Sequence, residues 1–138
     1  RFRIITNSLE LAMEASGVSN IETVILGGEV HGRYSAGFTA HDEYFDSAHR
    51  RHKLLLSVDG IDLEQGLTIF DPKFLRVLER MLAVSSTVIL AADSTKIGRV
   101  SFNRIGGLEI VSTLVTDAGA PEEVCEALRG RGVTVLTV

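Results

Sequence analysis

Apolar residues fall into two rhythms along this chain. Short runs rich in Val, Ile, Leu and Thr occupy residues 3–6, 23–26, 54–58, 87–92, 113–116 and 133–138. Most are continuously apolar rather than alternating, the pattern of strands covered on both faces in a parallel sheet. Between them, apolar residues recur three and four apart, as one helix face requires. Asn7 followed by Glu10 makes a capping-box-like start, Leu9, Ala12, Met13 and Ser16 share a face, and Gly17 suits a left-handed residue beyond the end. Asp71-Pro72 pairs a carboxylate cap with proline at the first helical position. Behind it Phe74, Leu75, Leu78, Met81 and Leu82 form a stripe opposite Lys73, Arg76 and Arg80. Pro121-Glu122-Glu123 opens another helix that closes near Arg129 and Arg131. Residues 43–48 read as helical with Tyr44, Phe45 and Ala48 inward, and residues 98–107 as irregular. Strand and helix in alternation imply an α/β fold, a mostly parallel sheet with helices on both faces and right-handed crossovers. No linker, repeat or low-complexity segment interrupts it, so residues 1–138 read as a single domain.

Composition narrows the class. The 138 residues are 45% hydrophobic and 23% charged, enough for a real core and too apolar for disorder. No apolar run approaches the roughly 20 residues that span a bilayer, and no signal peptide is visible. The first residue is Arg1, directly before a strand-like run, so the chain reads as a fragment of something longer. Fourteen basic and eighteen acidic residues give a net charge of −4. The dense basic cluster His49-Arg50-Arg51-His52-Lys53 reads as a solvated helix end, so this piece is not expected to grip DNA alone. The single cysteine, Cys125, forbids an intrachain disulfide and sits among Val124 and Leu128 as a small core residue. No His-x-x-x-His pair occurs, so neither a metal site nor a cofactor is expected. A cytoplasmic location follows from these absences.

Ligands of open α/β sheets bind beyond the carboxyl ends of the strands. Those ends carry Thr6-Asn7-Ser8, Gly27-Gly28-Glu29, Asp59-Gly60-Ile61-Asp62, Asp93-Ser94-Thr95-Lys96 and Asp117. Small, polar and glycine residues dominate where a pocket should be. Each also has an ordinary use: Asn7 and Ser8 as helix caps, Gly27-Gly28 as a tight turn, Asp59 and Asp62 as turn carboxylates, Lys96 as a surface lysine. As a site, Gly27-Gly28 would turn bare N–H groups toward an anion. Asp59 and Asp62 would accept from sugar hydroxyls, and Lys96 would meet a phosphate.

Taken in order, five segments resemble the sensor domain of the DeoR family of sugar-phosphate-responsive repressors. They are Ile5-Thr6-Asn7-Ser8-Leu9, Val24-Ile25-Leu26-Gly27-Gly28-Glu29, Val58-Asp59-Gly60-Ile61-Asp62 with Gly66-Leu67-Thr68, Ala92-Asp93-Ser94-Thr95-Lys96-Ile97-Gly98-Arg99 with Ser101-Phe102, and Thr113-Leu114-Val115-Thr116-Asp117. The resemblance implies a fold like that of ribose-5-phosphate isomerase. It also implies a separate N-terminal winged helix-turn-helix that alone contacts DNA, a homo-oligomer, and a crevice that recognises a phosphorylated sugar or related metabolite. Asn7, Ser8, Gly27, Gly28, Glu29, Asp59, Asp62 and Lys96 are the ligand-binding candidates, with no catalytic residue among them. The chain departs from the family pattern in three respects. It starts downstream of the usual Asp-x-Gly-Thr-Thr phosphate loop. It has Phe74 and Glu79 where a Glu and a basic residue are usual. It has His52 and Ser57 where Asp-Lys and Gly are usual. Phe74 near the pocket would change which ligand fits. Two other classes compete: a sugar-phosphate isomerase or deaminase with Asp59 as general base, and a domain that only oligomerises.

Overall fold

The computed structural model describes residues 2–38 and 52–138. The helix expected over residues 43–48, and the basic cluster apart from His52 and Lys53, lie outside the described residues. The chain divides into two compact units, Arg1–Asp46 and Ser47–Val138.

In the first unit, strand β1 (Phe2–Thr6) leads through helix α1 (Leu9–Ser16) to β2 (Ile21–Ile25). The strands pair in parallel, from Phe2 beside Ile21 to Thr6 beside Ile25. A hairpin of β3 (Glu29–His31) and β4 (Ala36–Phe38) follows. The helix starts one residue later than its sequence suggests. Ser8, not Asn7, is the cap, its Oγ accepting from the Leu11 N–H at 3.2 Å. That places Glu10 too early for a capping box. Ala15 is the buried residue of α1 and Leu9 and Ala12 are half-buried, as expected of those two, whereas Met13 is 77% exposed and Ser16 is exposed, so the covered side is rotated from the one expected. Gly17 ends the helix at φ −76°, an ordinary right-handed conformation.

The second unit is built on a parallel sheet in the order β11-β10-β8-β5. Its strands are β5 (His52–Leu56), β8 (Ser85–Ala91), β10 (Thr113–Thr116) and β11 (Thr134–Thr137). A three-stranded antiparallel sheet comprises β6 (Gly60–Asp62), β7 (Gly66–Ile69) and β9 (Asn103–Gly106). The segment read as irregular therefore contains a strand. The chain is mixed α/β, as expected; the antiparallel pieces are what the sequence pattern missed.

Helices α2 (Lys73–Ala83) and α3 (Glu122–Gly130) complete this unit. Asp71 Oδ1 accepts from the Lys73 N–H at 2.9 Å and Pro72 holds φ −64°, so both halves of the expected start are present. Val77 and Leu78 of α2 are buried, and Phe74, Leu75, Met81 and Leu82 pack beside them against the core. Phe74 thus contributes to packing. In α3, Cys125 and Leu128 are buried, which makes Cys125 the core residue expected, and Arg129 pairs with Glu122 at 2.6 Å. Leu54, Leu56, Ile61, Leu67, Leu90, Leu114 and Leu128 lie in one buried cluster that joins strands of both sheets to α3. Burying each such side chain stabilises the fold by about 1.5–3 kcal/mol before entropy opposes it.

Candidate functional site

The first unit gathers its candidates at the carboxyl ends of β1 and β2. Thr6 is buried, and its Oγ1 accepts from the Ser8 N–H at 3.1 Å while its carbonyl accepts from the Leu26 N–H at 2.7 Å. The chain turns sharply at Asn7, whose carbonyl accepts from the Gly37 N–H at 2.8 Å. Ser35 completes the dock between hairpin and helix by accepting from the Leu9 N–H at 2.8 Å. Gly37 lies so close to β2 that an added Cβ would stand 2.6 Å from the Leu26 carbonyl and 3.4 Å from that of Gly27. Asn7, Gly27 and Gly37 therefore meet at one rim.

The donors left over at that rim are specific. Asn7 Nδ2 is buried and has no hydrogen-bond partner among the described residues. Buried amide donors are nearly always paired, so an orphan needs an explanation such as a water or ligand. The N–H groups of Gly27 and Gly28 likewise form no hydrogen bond among the described residues. Gly28 holds φ +108°, which residues with a side chain rarely adopt, and space beside Gly27 is open. Ser8 is spent as the helix cap, and Glu29 lies exposed with Oε1 3.0 Å from His31 Nε2.

The second unit holds Asp59, Asp62 and Lys96. Asp59 Oδ2 accepts from the Phe70 N–H at 2.8 Å, and the Asp59 N–H donates to Thr68, tying the approach to β6 onto β7. Asp62 Oδ1 accepts from the N–H groups of Gln65 and Glu64 at 2.8 and 2.9 Å. Those two bonds, Gln65 first, hold its carboxyl below the ordinary carboxylate range. The turn role is thus filled at Asp62. Lys96 closes a 3-10 turn, Ser94–Lys96, that follows β8. A parallel bridge sets Ile97 beside Ile61, and the Gly98 N–H donates to the Ile61 carbonyl at 2.8 Å. Lys96 is one residue, and Asp59 two, ahead of those paired positions.

The backbone donors of this turn are all engaged. The Ser94 N–H donates to Asp117 Oδ2 at 2.6 Å, that of Thr95 to Asp93 Oδ1 at 2.9 Å, and that of Lys96 to the Asp93 carbonyl at 3.0 Å. The Lys96 ammonium itself has no ion pair or hydrogen bond among the described residues. Hydrogen bonds from the Thr95 hydroxyl and N–H, with the Lys96 charge behind them, depress the Asp93 carboxyl. The Ser94 and Gly119 N–H groups, then the Ser94 side chain, do the same for Asp117.

Sequence reasoning named the strand ends but left Asp93, Asp117, Gly37 and Thr116 out of the candidate set. Thr116, 2% exposed, ends β10 with an Oγ1 lacking any hydrogen-bond partner among the described residues. A polar residue closing an apolar strand was the available signal for Thr116 and Asp117; nothing local marks Gly37. Among the described residues no group of three His, Cys, Asp or Glu side chains could hold a metal ion, and no helix is long and apolar enough to cross a membrane.

The family model described as the DeoR C terminal sensor domain matches residues 1–118. The chain is 33% identical over 135 residues to the HTH-type transcriptional repressor GlcR of Bacillus subtilis, covering 96% of this chain and 51% of that protein. It is 32% identical over 132 residues to the HTH-type transcriptional regulator GlpR of Haloferax volcanii, covering 96% and 51%. It is 29% identical over 126 residues to the glycerol-3-phosphate regulon repressor of Escherichia coli, covering 91% and 50%. The chain spans about half the length of these curated relatives.

Proposed function

This chain belongs to the DeoR C-terminal sensor domain family, and on that premise we propose that it is the effector-sensing part of a cytoplasmic transcriptional repressor that recognises a phosphorylated sugar or a related phosphate ester. The observation that carries the reading is the set of donors at the first unit's rim that have no partner among the described residues: Asn7 Nδ2 with the Gly27 and Gly28 N–H groups. Donors at neighbouring strand ends with no acceptor among the described residues suit an oxyanion, and a glycine backbone lets it approach closely. Taken by itself, the second unit offers the Lys96 ammonium as a positive charge, and the carboxylate oxygens of Asp59 and Asp62 not engaged among the described residues can accept from sugar hydroxyls. The relative named for a glycerol-3-phosphate regulon supports a phosphate ester as ligand.

The reading contains no catalytic step. Asp59 holds β7 through Phe70, and its remaining oxygen recognises ligand rather than moving a proton. Regulation follows when the ligand binds one conformer of the repressor more tightly than the other, and the shift reaches DNA through a separate helix-turn-helix domain in a homo-oligomer. The test is calorimetric titration of the protein with glycerol 3-phosphate and fructose 6-phosphate against glycerol and fructose. Binding confined to the phosphate esters, and weakened at least about tenfold in Asn7→Ala as charge-assisted hydrogen bonds require, supports the reading. Equal responses to the esters and the neutral polyols sink it.

A further inference from the structure

Asp117 belongs to none of the ligand contacts named above, yet it joins two strand ends. It follows β10, and its carboxylate reaches the loop after the neighbouring strand β8. Oδ2 accepts from the Ser94 N–H at 2.6 Å while Oδ1 accepts from the Gly119 N–H at 2.8 Å. Ser94 is the first residue of the turn whose last residue is Lys96. An added Cβ on Gly119 would stand 2.7 Å from Ser94 Oγ and 2.8 Å from Asp117 Oδ1, so the two loops are closely packed.

We infer that Asp117 is the positioning residue for Lys96: it clamps the start of the turn so that the backbone from which the ammonium reaches is fixed before ligand arrives. This rests on the reading of Lys96 as an anion contact. The turn is held at both ends, by Asp117 at Ser94 and by the Ile61 carbonyl at Gly98, with Asp93 closing it internally. A lysine carries one of the most flexible side chains, and ordering it opposes binding. Fixing the backbone in advance removes the main-chain share of the ordering cost and leaves only the side-chain share to be met on binding. The carboxylate suits the task because a charge-assisted bond to an N–H is stronger than a neutral one. The neighbouring charges are Asp93, which repels Asp117, and Lys96, which draws on Asp93.

The experiment combines amide exchange with a double-mutant cycle. In Asp117→Asn, one acceptor becomes an NH2 group facing a donor. The Ser94 or Gly119 amide then exchanges about tenfold faster, the equivalent of one charge-assisted bond, while amides of β5 do not change. Ser94→Pro removes the donor from the other side and leaves the carboxylate in place, so Gly119 serves as its reporter. Affinity for fructose 6-phosphate falls in Asp117→Asn and in Lys96→Met, and the double variant binds no more weakly than Lys96→Met alone. A purely structural role for Asp117 gives additive losses instead, and additivity overturns the proposal. So do Ser94 and Gly119 amides that are both unchanged, or full affinity in Asp117→Asn while Lys96→Met is impaired; in that last case the anion reading of Lys96 stands. Failure of the unsubstituted protein to bind any phosphate ester overturns both.

Discussion

Replacing Gly37 by alanine tests how closely the hairpin is pressed against the end of β2. The new Cβ would sit 2.6 Å from the Leu26 carbonyl oxygen. Ordinary contact therefore requires the two backbones to part by roughly 0.5–0.8 Å. Neither is a flexible side chain that can swing aside. Separation pulls on two short bonds, Gly37 N–H to the Asn7 carbonyl at 2.8 Å and Leu26 N–H to the Thr6 carbonyl at 2.7 Å. A net 0.5–1.5 kcal/mol for each gives a loss of about 1–3 kcal/mol. Because the chain divides into two units, a single unfolding midpoint can conceal a local effect. Amide exchange at Leu26 and Gly37 is the better assay, with acceleration between about fivefold and a hundredfold. Gly32→Ala is the control, since open space surrounds it, and it should change stability by no more than about 0.5–1 kcal/mol in either direction. If the Gly37 variant exchanges no faster than the Gly32 variant, the hairpin is not pressed against β2 and Asn7 is not held at that rim.

Gly66→Ala combines a positive φ of +80° with a collision against the Gly106 carbonyl, so a loss above about 2 kcal/mol in urea unfolding is expected; tolerance of alanine there would contradict the β7–β9 pairing. Leu90→Ala empties a site that is 1% exposed and should cost about 2–5 kcal/mol. Cys125, equally enclosed, should resist a thiol reagent until the second unit unfolds, and rapid labelling under native conditions would count against its place in α3. Acid sensitivity follows from Asp62, Asp93 and Asp117, whose carboxyls are all depressed in the fold. A depressed carboxyl contributes stability that is complete above its unfolded value of about 3.9 and is lost as pH falls through the lower folded value. The thermal midpoint should thus be level above about pH 5 and decline below about pH 4. Asp93→Asn should make that decline shallower, and an unchanged slope would remove Asp93 from the account.

The strands of the parallel sheets were legible because most contain a continuous apolar run, and Asp71-Pro72 announced its helix through chemistry confined to three residues. The antiparallel strands were not. β3, β4 and β6 are three residues each, and β7 and β9 four, too short for a period; β3–β4 and β6–β7 are short hairpins, and β9 is a strand because it pairs with β7, distant in sequence. The shift of the first helix cap has the same origin. Asn7 fails as a cap because Thr6 Oγ1 receives the Ser8 N–H and Gly37 claims the Asn7 carbonyl, and no local rule reports a partner thirty residues away. The strand-end candidates were recognisable as residue types. Which of them keep a free donor was not, since that depends on hydrogen bonds between loops: Ser8 and Asp62 are largely spent on local structure, whereas the side chains of Asn7 and Lys96 keep donors without a partner among the described residues.

The turn that carries Lys96 offers a visiting anion no ring of amides, because its three N–H groups already face Asp93 and Asp117. What remains is a point charge on a flexible stem, which attracts oxygen atoms without counting them or fixing their angles. On the proposed reading of Lys96 as an anion contact, discrimination among phosphate esters at that spot is coarse, with shape elsewhere doing the sorting. Attachment through such a charge should also weaken steadily as salt is added.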